Sequence, residues 1–280
     1  MQQRISGKQI IAALISGLLL LAASPGFTEL APLAWLALVP LLYAISGRDT
    51  SPRGSAILGL ICGMAYYPAL LSWITIVLGR YGGLPPWLSI TALLLLALYM
   101  SLYLAAFAAL SCHLQKRYSL IWVAPITWVA MDFLRGRLFT GFPWFDLGYT
   151  QFKTVLLIQV ADLTGHHGVS FMLVMVNGLI LHASNNYWKK QAFKPRAEFA
   201  FRSGLLLILA LLSYNLIRFH LVAKELDDQE TLGVAVVQGN IDQGQKWQPR
   251  LQRLTLNKYM NMSRQILESA APELLVWPET

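Results

Sequence analysis

Seven predominantly apolar runs, at about 9–23, 30–45, 56–78, 87–113, 120–134, 168–184 and 203–221, constrain this chain more than any other feature. Each is near the roughly 20 residues that a helix needs to cross the hydrocarbon core of a bilayer. With 56% hydrophobic and only 13% charged residues, the chain falls in the membrane class. The run at 30–45 contains Pro32 and Pro40 and is short, so it works as a span only if it is kinked or buried among other helices. Arg4 and Lys8 precede the first run as in a signal peptide, but further spans follow at once, so an uncleaved first helix is expected. The expected fold is a polytopic α-helical membrane domain of about seven transmembrane helices, over residues 1–222.

The basic residues orient these helices. A net charge of +8 would suggest nucleic acid in a soluble protein, but here the bases lie between the apolar runs, and no nucleic-acid partner is expected. The amino terminus and the even-numbered loops hold the clusters Arg4/Lys8, Arg48/Arg53, Lys116/Arg117 and Lys189/Lys190/Lys194/Arg196/Arg202. The other loops hold only Arg80, Arg135, Arg137 and Lys153. By the positive-inside rule the amino terminus is cytoplasmic and everything after the seventh run lies outside. Asp132 and Arg218 stand close to span ends, where they are expected to reach water, which argues against an ion pathway. Cys62 and Cys112 lie inside apolar runs without CxxC spacing or a neighbouring His or Lys, so they read as small buried side chains.

Between the fifth and sixth runs, residues 135–149 (Arg-Gly-Arg-Leu-Phe-Thr-Gly-Phe-Pro-Trp-Phe-Asp-Leu-Gly-Tyr) are dense in aromatics and glycines. Such a stretch suits the membrane interface, either as an aromatic belt or as a loop that contacts a substrate. His166 and His167 follow Gly165. Without carboxylates at metal spacing they read as interfacial polar residues and not as ligands, and no metal or organic cofactor is expected.

After a polar linker at 223–230 the pattern changes. Residues 231–237 form a strand candidate apolar on both faces, residues 250–271 a helix with an apolar stripe of Leu251, Leu254, Tyr259, Met262, Ile266 and Ala270, and residues 274–277 a second strand. This is a βαβ unit, the beginning of an α/β domain over 231–280, and two strands with one helix leave apolar faces exposed. Pro278 stops the second strand and sets Glu279 at its carboxyl end, the place where α/β sheets carry ligand and catalytic groups. On those residues alone a solvated glutamate is the simpler reading.

Taken together, the apolar runs, Gly141-Phe142-Pro143-Trp144 with Gly148-Tyr149, Val237-Gln238-Gly239-Asn240-Ile241, Lys246-Trp247 and Val276-Trp277-Pro278-Glu279-Thr280 resemble one family, apolipoprotein N-acyltransferase. The resemblance covers essentially the whole chain. It implies a bacterial inner-membrane enzyme, multi-pass, whose periplasmic nitrilase-like (αββα sandwich) domain begins at 231. It also implies an acyl transfer: a cysteine thiolate takes a fatty acyl chain from a phospholipid and passes it to the amino group of a lipid-modified apolipoprotein. Glu279 matches the family's glutamate, the general base. Trp247 matches a tryptophan near the acyl-chain site, with packing against the following helix as an equal alternative. The family's nucleophilic cysteine and oxyanion lysine match nothing here and are expected beyond Thr280, so these residues alone are expected to be inactive. A membrane-anchored nitrilase-type amidase, and a transporter or scaffold with a short outside tail, are the alternatives. A transporter predicts functional charges within the helices or matching interrupted helices in two repeats, and the sequence has neither.

Overall fold

The computed structural model describes residues 5–47, 50–189, 195–227, 229–242, 244, 248–270 and 272–278. The chain divides into two compact units, Met1–Leu221 and Val222–Thr280.

The first unit is helical, and a serine caps three of its helices. Helix α1 (Gly7–Ala23) opens on a capping box: Ser6 Oγ accepts from the Gln9 N–H at 3.3 Å, and the Gln9 side chain accepts from the Ser6 N–H at 3.0 Å. Helix α3 (Pro52–Leu70) pairs an N-cap serine, Ser51, with proline in its first turn. Helix α6 (Leu120–Arg135) begins on Ser119, and the long α5 (Pro86–Leu114) on Pro85-Pro86. Helices α8 (His166–Lys189) and α9 (Pro195–Asp227) follow. The core of this unit holds Leu38, Leu41, Leu42, Leu58, Phe107 and Leu173, all essentially without solvent contact. Large apolar side chains on the other faces are exposed, among them Ile11 and Leu18 on α1, Leu95 and Leu102 on α5, and Leu206 and Ile217 on α9. In water such faces would drive association, whereas in a bilayer they meet lipid.

About seven transmembrane helices were expected, and the described residues hold fewer that are long and apolar enough to cross a membrane. Three helices are long and apolar enough to cross a membrane: α5, α8 over His166–Asn185, and α9. A fourth arises if α3 and the segment Trp73–Tyr81, bent by 46°, count as one broken span. Helix α1 has 17 residues and α6 only 16. The run at 30–45 is interrupted: a 3-10 turn at Ala31–Trp35 gives way to the seven-residue α2 (Val39–Ile45). Apolarity in sequence reports where lipid is tolerated, and it does not report whether the backbone stays straight.

The interruption is possible because distant side chains satisfy the backbone groups it frees. Asn177 Oδ1 accepts from the N–H groups of Leu38 (2.8 Å) and Val39 (3.1 Å), while its Nδ2 donates to the Ala34 (3.0 Å) and Leu173 (2.8 Å) carbonyls. Ser16 Oγ accepts from the Leu41 N–H at 2.8 Å. Without such partners a backbone break at this depth would leave polar groups in an apolar medium. A second buried asparagine, Asn215 on α9, does the same for the chain before α8, accepting from the Val160 N–H at 2.6 Å and donating to the Leu157 carbonyl at 3.1 Å.

Helix α3 lies very close to α5 because Gly59 and Gly63 face it. A Cβ at position 59 would sit 2.3 Å from the Leu104 carbonyl oxygen, and one at 63 would sit 2.5 Å from Ser101 Oγ. Small residues at such contacts supply the van der Waals packing that holds helices together in lipid. Gly59→Val should therefore separate the two helices and cost about 1–3 kcal/mol through overpacking. Thermal unfolding in detergent checks this: a midpoint equal to wild type would contradict the close approach.

In the second unit β1 (Val234–Val236) and β2 (Leu274–Val276) pair in parallel, Ala235 opposite Leu275, with α10 (Pro249–Ser269) between them in sequence. Both strands are shorter than the runs that announced them. Of the expected stripe on α10, Tyr259 is buried but Leu254 is 65% exposed. Tyr259 packs toward Gly239, where a Cβ would lie 2.7 Å from its ring. The Trp277 indole N–H donates to Ser263 Oγ at 2.8 Å, tying the end of β2 to α10. Val234, Val236 and Leu274 remain exposed on the two-stranded sheet.

Candidate functional site

The polar interior of the first unit converges where α6, the aromatic loop and α8 meet. Asp132 and Arg135 occupy the last turn of α6, three residues apart and hence on one helix face. Arg135 Nη2 donates to Asp132 Oδ1 at 3.1 Å and to Asp146 Oδ1, and Nη1 donates to the Tyr67 hydroxyl of α3 at 2.8 Å. Asp132, Arg135 and Asp146 are each 5% exposed or less. Asp132 therefore does not reach water as its place near a span end suggested. It is held inside by an arginine that the sequence assigned to a loop.

Asp146 is brought to this place by the loop that precedes it. The loop backbone is forced into the left-handed region at Phe139, Thr140 and Phe145, with φ of 51°, 74° and 58°, and at Gly141. Non-glycine residues rarely adopt it, and such strain persists only where the surroundings over-determine the backbone. Here the Phe142 N–H donates to the Arg135 carbonyl at 2.9 Å, and the Gly148 N–H donates to Ser170 Oγ at 2.9 Å. Gly148 is needed for contact with α8, since a Cβ there would lie 2.5 Å from the His166 carbonyl oxygen. Gln151, 1% exposed, anchors the far end by accepting from the Trp35 indole N–H at 3.2 Å and donating to the Ala31 carbonyl at 2.9 Å.

This docking places Asp146 beside the two histidines. Asp146 Oδ2 lies 2.5 Å from His166 Nε2, and the His166 and His167 rings are 4.1 Å apart. One donor atom from each of the three residues falls within 4.8 Å of the others. Asp146 lies twenty residues upstream of His166, beyond any local metal spacing. The close approach of Gly148 to α8 helps to close that gap.

Outside the polar cluster the loop is aromatic. Pro25, Pro143, Trp144, Phe145, Tyr149 and Phe152 line a cavity of about 380 Å³. Trp144 packs on Trp73 at 4.6 Å and stacks on Phe142 at 5.9 Å. Lys153, which follows Phe152, pairs with Glu29. The bond from Lys153, reinforced by the Gly26 N–H, holds the Glu29 carboxyl below the ordinary carboxylate range.

In the second unit, β2 ends at Val276 and the chain continues through Trp277 and Pro278. Glu279 and Trp247, the residues selected from sequence, lie outside the described residues. Cys62 on α3 and Cys112 on α5 are buried in the helical interior, as small apolar side chains should be.

Comparison with known proteins gives these features a common context. The family model described as the apolipoprotein N-acyltransferase N-terminal domain matches residues 16–179, more than half of the chain and all of the polar cluster. An apolipoprotein N-acyltransferase from Geobacter metallireducens is 38% identical over 280 residues, covering 99% of this chain and 52% of the relative. Relatives of the same name from Haemophilus influenzae and Methylococcus capsulatus are 31% and 30% identical over 96% and 98% of this chain, and 49% and 51% of their own lengths. The chain thus spans about half the length of the curated relatives it matches. On the match to the family model and the Geobacter identity over nearly its whole length, the chain belongs to the apolipoprotein N-acyltransferase family.

Proposed function

We propose that this chain is the membrane-embedded portion, with the start of the catalytic domain, of an enzyme that N-acylates lipoproteins. The observation that carries the reading is the 38% identity to the Geobacter enzyme over 99% of the chain. In this reading residues 1–222 form the membrane domain, 223–230 a linker and 231–280 the beginning of a periplasmic nitrilase-like domain, with the amino terminus cytoplasmic. The parallel βαβ arrangement around α10 is compatible with that domain.

The acyl donor is a phospholipid and the acceptor a lipid-modified apolipoprotein, both presented from the bilayer. Helices with apolar outer faces and an aromatic-lined cavity suit such substrates, which slide in laterally. Glu279 acts as general base. It first accepts the proton of the cysteine thiol as the sulfur attacks the phospholipid ester, and gives that proton to the oxygen of the departing lysophospholipid, which restores the carboxylate. It then takes a proton of the incoming amine as that attacks the thioester, and returns it to the departing cysteine sulfur. A lysine stabilises the oxyanion in both steps. Trp247 lines the path of the acyl chain.

In this reading neither Cys62 nor Cys112, both buried between helices, is the nucleophile. We therefore expect the 280 residues expressed alone to acquire no label from acyl-radiolabelled phospholipid. Fusion to the carboxyl-terminal half of the Geobacter relative should produce a hydroxylamine-sensitive labelled thioester and transfer to a diacylglyceryl-cysteine peptide. Label on the 280 residues alone would refute the residue assignment. A folded fusion that neither labels nor transfers would refute the functional one.

A further inference from the structure

We infer that Asp146, His166 and His167 form a binding site for a divalent first-row cation, best matched by Zn²⁺, which fastens the aromatic loop to the first turn of α8. The inference does not rest on the acyl-transfer reading. Two imidazoles and one carboxylate from two chain segments are a donor set that zinc accepts, with a further position left for water. Their donor atoms fall within 4.8 Å of one another.

Second, the donor atoms lack other partners. His166 Nε2 and His167 Nδ1 are buried and make no hydrogen bond, although buried ring nitrogens normally find one. His166 Nε2 lies near Asp146 Oδ2 without the alignment of a hydrogen bond. Third, the surroundings hold the donors in place, as metal ligands usually require. Arg135 occupies the other Asp146 oxygen and is itself held by Asp132 and Tyr67. Tyr149 stacks on His166 at 4.9 Å and places its hydroxyl 3.4 Å from Nδ1, leaving Nε2 toward the cluster.

Charge gives the same sign. Among the described residues Asp132 and Asp146 face a single buried cation, Arg135, so the carboxyls outnumber the fixed positive charge around them. Buried charge calls for a counter-charge. A proton on His166 would provide it but leave His167 Nδ1 without a partner, whereas a cation uses both nitrogens and the carboxylate together.

The test uses the full 280-residue chain purified in detergent, stripped with EDTA and titrated with Zn²⁺ by calorimetry and with Co²⁺ by visible absorption. One equivalent per chain is expected, with Co²⁺ bands free of thiolate charge transfer. His166→Gln and His167→Gln should each weaken binding at least about 10-fold, the low end of what even outer-shell changes cost. Neither histidine carries the ion pairs of Arg135, so both variants should stay folded, and circular dichroism verifies it. Cys62→Ser with Cys112→Ser should leave the titration unchanged. Absence of Zn²⁺ binding by the wild type, as a protonated His166 paired to Asp146 would give, overturns the inference. So does binding that survives the double His→Gln variant.

Discussion

Asn177→Leu should destabilise the membrane unit by about 3–5 kcal/mol, several times what loss of a single surface contact costs. One amide serves four backbone groups: the N–H groups of Leu38 and Val39 and the carbonyls of Ala34 and Leu173. The Leu173 carbonyl keeps its helical partner when the side chain is lost. The Val39 N–H also donates to the Leu36 carbonyl at 3.1 Å, but the Leu38 N–H and the Ala34 carbonyl stand at a break in the 30–45 run, where no helical partner exists, and the asparagine is fully buried. Each buried group left unsatisfied costs about 1–3 kcal/mol, and leucine also forces a larger apolar shape into the space. Asn177→Asp tests the donor half separately, since it retains the acceptor for Leu38 and Val39 but buries a charge. Thermal unfolding and limited proteolysis between α1 and α3 in detergent read the effect. Cleavage near residues 30–38 should appear first, because freed backbone there opens locally before the whole unit does. A variant with wild-type midpoint and cleavage pattern would show that the interrupted segment holds without the amide.

The same asparagine explains which parts of the fold were legible in the sequence. Helices α5 and α9 are long uninterrupted apolar runs, and nothing distant was needed to recognise them. The break between the Ala31–Trp35 turn and α2 depends on Asn177, which follows it by 139 residues, and no local pattern carries that information. The length of α6 matches its apolar run, but the inward turn of Arg135 to two carboxylates, one of them on the following loop, has no local signal. In the second unit two short apolar runs located the strands, and a stripe at helical spacing located the helix. It misplaced Leu254, whose face is decided by what α10 packs against and not by its own periodicity. Of the polar cluster, the sequence offered His166 and His167 as an adjacent pair but could not supply Asp146. Their meeting depends on strained loop residues and on the absence of a Cβ at Gly148. A run of glycines and aromatics before two histidines was the available signal, and it reads as loop composition until the backbone is traced.

Glu279→Gln should lower acyl transfer by roughly 10²–10⁴-fold, the range that a positioned general acid–base group contributes. The assay uses the fusion with the relative's carboxyl-terminal half. The amide keeps the size and most of the hydrogen bonding of the carboxylate but cannot accept a proton at neutral pH. If Glu279 is the base, both half-reactions should slow, because thiol and amine each surrender a proton. Burst labelling with phospholipid reads the first step. Decay of preformed thioester on adding the diacylglyceryl-cysteine peptide reads the second. The pH profile separates this from a positioning role: the wild-type rate should fall on the acid side as the carboxylate is protonated, and the Gln variant should lose that limb. Raising the pH should partly restore labelling in the variant, since thiolate forms without a base as the thiol's own pKa is approached. A variant within tenfold of wild type in both steps, with its acid limb intact, would remove Glu279 from the chemistry and return it to a solvated residue after β2. Loss of both steps with a pH profile of unchanged shape would make it a positioning residue at the end of the strand.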